Sequence, residues 1–176
     1  MGKQYQTLTQ HDKEFIKKQK LFFIASCSNH EVNLSPRGYE SLYIQDEKTL
    51  YMIDYLGSGN RTARDISENG ELTLMFTAFE GKPKILRCFC KGQCIEKEQE
   101  EFKKISKFFQ QNMKGIRHIF KFNIYALESS CGMGVPLMKY EQDRNEVIDY
   151  ALDMAEKGKF DTYHNEHKVP PNLHNI

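Results

Sequence analysis

Three runs of strictly alternating side chains constrain this chain more than any other feature. Leu72, Leu74 and Phe76 alternate with Thr73, Met75 and Thr77, residues 85–95 continue the same period beyond Glu80-Gly81-Lys82-Pro83, and His118, Phe120, Phe122, Ile124 and Ala126 alternate with Arg117, Ile119, Lys121, Asn123 and Tyr125. Period two places successive side chains on opposite faces of a strand, so each run demands a sheet with an apolar side to cover. Shorter strand signals occupy residues 21–26, 32–34, 42–44 and 49–53, with Asn29-His30 and Gln45-Asp46-Glu47-Lys48 as hairpin turns between them. Short spacings of this kind favour a closed or nearly closed antiparallel barrel over a doubly wound parallel sheet.

Helices belong mostly at the ends of the chain. Thr9 followed by Asp12 is a variant capping box opening an apolar stripe at Phe15 and Ile16 that ends near Lys20. Residues 60–69 have helical character until Gly70 stops them, and residues 97–113 place Phe102, Ile105, Phe108 and Phe109 on one face of an amphipathic helix. Val147, Ile148, Ala151, Leu152 and Ala155 predict a last helix before a polar tail. The expected organisation is a barrel domain over 1–140, including the N-terminal helix, with a C-terminal helix and tail over 141–176 belonging to the same domain.

Charge narrows the partners. Lys plus Arg number 25 against 24 for Asp plus Glu, so no general field draws nucleic acid or an anionic membrane. No apolar run approaches the roughly 18 residues of a membrane span, and Met1-Gly2-Lys3-Gln4-Tyr5 leads into polar sequence, which together predict a cytoplasmic protein. The five cysteines, Cys27, Cys88, Cys90, Cys94 and Cys131, are an odd set and read as reduced thiols. Cys88, Cys90 and Cys94 have even spacing and point to one strand face, which suits core packing better than a zinc knuckle, so no metal site is expected.

Four segments carry chemistry: Ser35-Pro36-Arg37-Gly38, Gly57-Ser58-Gly59-Asn60-Arg61, residues 86–92 with Arg87 and Gly92, and Ser130-Cys131-Gly132 followed by Val135-Pro136. Arginines at strand edges beside turn residues suit a phosphate monoester, because guanidinium binds such oxygens bidentately. Gly57 and Gly59 let backbone N–H groups approach an anion, and a helix beginning near Asn60 adds its positive end. A dinucleotide fingerprint is excluded, since the third glycine and the following βαβ unit are missing. Taken singly, each arginine is more simply a solvated strand-end charge, and His118 on an apolar face reads as a core histidine.

In order and separation these segments, with Tyr51-Met52-Ile53-Asp54 between them, resemble the pyridoxamine 5′-phosphate oxidase-like family of FMN-binding split barrels over residues 20–140. The resemblance implies a mainly β fold with peripheral helices, a six-stranded antiparallel split β-barrel of FMN-binding type. It also implies a homodimer with FMN at the subunit interface and a small-molecule substrate or electron donor. On that resemblance Ser35 and Arg37 approach the ribityl phosphate, Met52 and Ile53 run along the isoalloxazine ring, and Asn60 and Arg61 grip the phosphate. Arg87 reaches the cofactor from a neighbouring strand, and Ser130, Cys131 and Gly132 close over its edge across the dimer.

The chain departs from true pyridoxamine phosphate oxidases at two points. The Arg-x-His substrate element is absent after Cys131, so vitamin B6 oxidation is not expected, and Arg87 stands where those enzymes typically have glutamine. The expected function is therefore an FMN-dependent oxidoreductase of unspecified substrate, in which catalytic acids and bases are not evident. Two alternatives stand beside it: haem binding or breakdown, drawing on His164, His167 and His174, and a non-catalytic flavin redox sensor.

Overall fold

The computed structural model describes residues 2–28, 30–171 and 173. Its strands are β1 (Lys3–Tyr5), β2 (Phe22–Ser28), β3 (Glu31–Arg37), β4 (Leu42–Ile44), β5 (Thr49–Tyr55), β6 (Glu71–Thr77), β7 (Ile85–Glu96) and β8 (Ile116–Ser130). The helices are α1 (Gln10–Lys18), α2 (Arg61–Glu68), α3 (Glu100–Ile105), α4 (Glu146–Glu156) and α5 (Phe160–Glu166). All strand pairs are antiparallel in the order β3-β2-β6-β7-β8-β5-β4, with β1 alongside the C-terminal part of β8. Six strands of at least seven residues form an open, mainly antiparallel barrel, and β1 and β4 add two three-residue strands to it.

Pleating sorts the side chains into two cores. Leu50 and Met52 of β5, Leu72, Leu74 and Phe76 of β6, Leu86, Cys88 and Cys90 of β7, and Phe120 and Phe122 of β8 fill the barrel. Cys94 packs against the same cluster, as its even spacing requires, and all five cysteines are free thiols. The opposite faces of β5 and β8, with Tyr51, Ile53, Ile116 and Ile119, are also buried, beneath α3, α4 and α5. Sequence alternation assigned Ile119 to a polar face; the helices convert that face into a second core, where full burial of such a side chain contributes about 1.5–3 kcal/mol.

The ends of the elements follow local chemistry. In α1 the Asp12 N–H donates to Thr9 Oγ1 at 3.1 Å and the Thr9 N–H donates to Asp12 Oδ2 at 3.1 Å, completing the expected reciprocal cap. Lys84 Nζ, 2.8 Å from Asp12 Oδ1, ties that cap to the loop before β7. His30, with φ of 64°, lies in the β2–β3 turn; its neighbour Asn29 lies outside the described residues.

Two expected elements differ. The helix over 97–113 is reduced to α3 and two 3₁₀ turns, Ser106–Phe108 and Met113–Gly115. Phe108 and Phe109 both pack on Tyr43, at 4.7 and 6.1 Å between ring centroids, and a continuous helix would turn these adjacent side chains about 100° apart. The polar tail contains α5, anchored by Phe160 in the outer core and by Lys97 lying 3.6 Å over its ring. No helix among the described residues is long and apolar enough to cross a membrane.

Candidate functional site

The ends of β3 and β5, the turn before α2 and the start of β8 enclose a cavity of about 590 Å³. That volume falls within the roughly 300–1,000 Å³ of small-molecule sites. At its base is Asp54, 2 % exposed, the last polar side chain before β5 ends. Arg117 Nε donates to Asp54 Oδ2 at 2.7 Å, Arg37 Nη1 lies 3.4 Å from Oδ1, and His118 Nε2 lies 3.0 Å from Oδ2. Burial alone would push the Asp54 carboxyl up; Arg117, Arg37 and His118 together outweigh it and hold the group well below its ordinary value of 3.8.

Adjacent residues of a regular strand cannot both reach one carboxylate. Here Asp54 pairs with His118 and Tyr55 with Ile116, so Arg117 is the extra residue of a β-bulge. The bulge re-aims Arg117 toward the same side as His118. Its guanidinium then also donates to the carbonyls of Gly57 at 3.1 Å and Gly59 at 2.5 Å, fixing the turn that precedes α2.

That turn presents an anion-receptive surface. No atom lies within 4 Å of where a Cβ would stand on Gly57 or Gly59, so the space before both glycines is open. Helix α2 begins at Arg61 without a side-chain cap from Asn60 and without an acid in its first turn, leaving its positive end uncompensated locally. Arg37, another lining residue, has its Nε buried with no hydrogen-bond partner. Ser35 Oγ donates to Asn33, which donates to Ser26 and Thr62, and Ser26 donates to the buried Asp65 at 2.6 Å; this network fixes β2 and β3 against α2.

The ten residues singled out from sequence fall into separate groups. Ser35, Arg37, Ile53, Asn60 and Arg61 line the cavity together. Met52 points the other way, fully buried in the barrel core. Arg87 lies on the strand pair β7–β8, 3.3 Å from Glu128 and 3.4 Å from Ser130 Oγ. Cys131 is exposed, and Gly132, at φ of +66°, presses on the Lys84 backbone, where a Cβ would come within 2.9 Å. None of these last four lines the cavity within one chain.

Sequence reasoning missed Asp54 as a hub, Arg117 as its partner, and Glu31. Glu31 holds Arg61 at 2.8 Å and Arg64 at 2.6 Å, and the hydrogen bond from Arg64 leads the causes that lower its carboxyl. The available signal was the charge at the end of Tyr51-Met52-Ile53-Asp54 and the Arg-His pair heading an apolar strand.

The C-terminal segment closes one side of the cavity. Asn60 Nδ2 donates to the Lys168 carbonyl at 2.8 Å, Arg61 Nη2 to the Pro171 carbonyl at 3.0 Å, and the Leu173 N–H to Glu31 at 2.6 Å. His164 belongs to α5 and His167 caps its C-terminal end, stacking on Tyr163 at 4.0 Å; His174 lies outside the described residues.

An open antiparallel barrel with an arginine-lined cavity at its strand ends defines the class, and comparison with known proteins supplies the family. The profile for pyridoxamine 5′-phosphate oxidase matches residues 8–131. The pyridoxamine 5′-phosphate oxidase family protein ustO of Aspergillus flavus is 30% identical over 166 residues, which cover 90% of this chain and 67% of that protein. This chain belongs to the pyridoxamine 5′-phosphate oxidase family.

Solved structures agree on the fold. HupZ of Group A Streptococcus aligns over 75% of this chain and 99% of its own with a TM-score of 0.59 at 19% identity. The FAD-binding protein of Mycobacterium smegmatis covers 72% of this chain and 97% of its own with a TM-score of 0.51 at 8% identity. The haem storage protein HutZ of Vibrio cholerae covers the same shares, 72% and 97%, with a TM-score of 0.50 at 16% identity. The fold thus serves proteins with different prosthetic groups, and the choice for this chain rests on its own residues.

Proposed function

We propose that this chain is an FMN-binding oxidoreductase that acts as a homodimer. The observation that carries the reading is the cavity where Ser35, Arg37 and the 57–61 turn meet, with the Arg37 Nε lacking a partner. Those groups suit a phosphate monoester: Arg37 and Arg61 supply guanidinium donors, and the open turn and α2 supply backbone N–H groups. Ile53 and Tyr55 on the same cavity wall offer apolar surface to a planar ring.

When bound, the flavin supplies the hydride and electron-pair chemistry, and the protein binds, orients and shields it. Asp54 holds Arg37 and Arg117 in place, and Arg117 in turn fixes the carbonyls of the phosphate-facing turn. Arg87, Ser130, Cys131 and Gly132 would complete the site from the second chain. Support for such a partner comes from Val32 and Leu34, 80% and 63% exposed on the barrel-edge strand β3.

Fluorescence titration tests the proposal. FMN fluorescence should be quenched saturably, and Arg61→Ala should weaken FMN binding roughly tenfold or more, the worth of a charge-assisted hydrogen bond. Riboflavin, which lacks the phosphate, should bind both proteins alike. Absence of saturable quenching by the unmodified protein rules out the reading. Turnover of bound flavin with NADH or NADPH is expected of an oxidoreductase, and tight binding without turnover with any donor would identify a sensor instead.

A further inference from the structure

Below α5, the ends of β7 and β8 collect three residues that do not line the larger cavity. The thiol of Cys94, a carboxylate oxygen of Glu96 and an imidazole nitrogen of His118 all lie within 4.8 Å of one another. The register explains the cluster: Cys94 pairs with Phe120 and Glu96 with His118, so the three side chains share one face of neighbouring strands. Cys94 Sγ is 3.4 Å from Glu96 Oε1. His118 is 1% exposed, yet its Nε2, although 3.0 Å from Asp54, makes no aligned hydrogen bond.

A second imidazole stands across from the first. His164 of α5 has its ring centroid 6.3 Å from that of His118, and its Nδ1 is buried without a partner. Glu96 and His164 line a cavity of about 250 Å³ between the strand ends and α5. The His164 nitrogen, buried without a partner beside this cavity, is costly unless something satisfies it.

We propose that Cys94, Glu96 and His118 form a site for a divalent transition-metal ion of the zinc type, with His164 closing on it from α5. Sulfur, nitrogen and oxygen donors in this combination are those that Zn²⁺ and Co²⁺ accept in tetrahedral geometry. Bonds of about 2.0–2.3 Å to a shared ion draw the ligand atoms closer than their present spread, a change within reach of side-chain rotation. A thiolate and a carboxylate together neutralise the dication. With Nε2 turned to Asp54, His118 would bind the ion through Nδ1, and Asp54 occupies the position from which carboxylates orient metal-binding imidazoles. The nearby Arg117 guanidinium is already held by Asp54 and two backbone carbonyls, so its charge is compensated. Such an ion would clip α5 to the barrel, whether or not the larger cavity holds flavin.

Cobalt titration of the metal-free full chain tests the site. One Co²⁺ per chain should bind with a thiolate-to-metal charge-transfer band, and Cys94→Ser should abolish the band. The double variant Cys27→Ser, Cys131→Ser, which removes the exposed thiols, should retain it. His118→Ala should weaken binding by more than about tenfold. Should Cys94→Ser fail to fold, Glu96→Gln at the less buried strand end serves instead, with an expected loss of about tenfold or more. No band in the unmodified protein, a band that survives Cys94→Ser, or unchanged affinity in Glu96→Gln overturns the proposal.

Discussion

Asp54 is stable only as part of a set. It lies among two guanidinium groups and an imidazole, and removing its charge leaves Arg117 buried without compensation. Asp54→Asn should therefore destabilise the fold by about 3–5 kcal/mol in urea unfolding, as expected when one partner of a buried pair is lost. The pH dependence has a defined sign. Because the folded carboxyl is held below its ordinary 3.8, its contribution is fully present above that value and is lost as the pH falls further. Acid unfolding monitored by circular dichroism should begin below about pH 4 for this group, and Asp54→Asn should flatten that part of the profile. The hub was illegible in sequence because Asp54 and Arg117 are 63 residues apart and a bulge, not a motif, aims one at the other.

The elements themselves were far more legible. Period two located β6, β7 and β8, and the Thr9–Asp12 pair announced the start of α1. What failed was whatever depended on tertiary cover: α3 stops where two phenylalanines share Tyr43, and α5 forms where Phe160 finds the outer core. Gly92 shows how tightly one strand crossing is set. A Cβ there would lie 2.6 Å from Leu72 Cδ2 and 2.9 Å from Ile66 Cγ1, both buried in the barrel core. Gly92→Val should cost about 1–3 kcal/mol by overpacking, read as a lower midpoint in thermal unfolding. In the sequence Gly92 served as a family landmark, and its packing role against α2 was hidden.

For the whole molecule, the site divides in a way that composition cannot reveal. Five of the sequence-selected residues share a cavity, while Arg87 and the 130–132 turn lie elsewhere on the same chain. If a second copy delivers them, light scattering should return twice the 20.7 kDa chain mass. Leu34→Glu on the exposed edge of β3 should shift the protein to monomer and weaken FMN binding in parallel. A monomeric unmodified protein would remove the basis for a shared site.

The carbonyls of Lys168 and Pro171 already occupy donors of Asn60 and Arg61. On the proposed reading, an incoming phosphate would exchange with the protein's own main chain, and the affinity of the full chain would measure the difference between two occupied states. A chain shortened to end at residue 167 should bind FMN more tightly than the full one in parallel titrations. Residues 168–171 would then act as a built-in competitor, setting the threshold concentration at which the cavity fills.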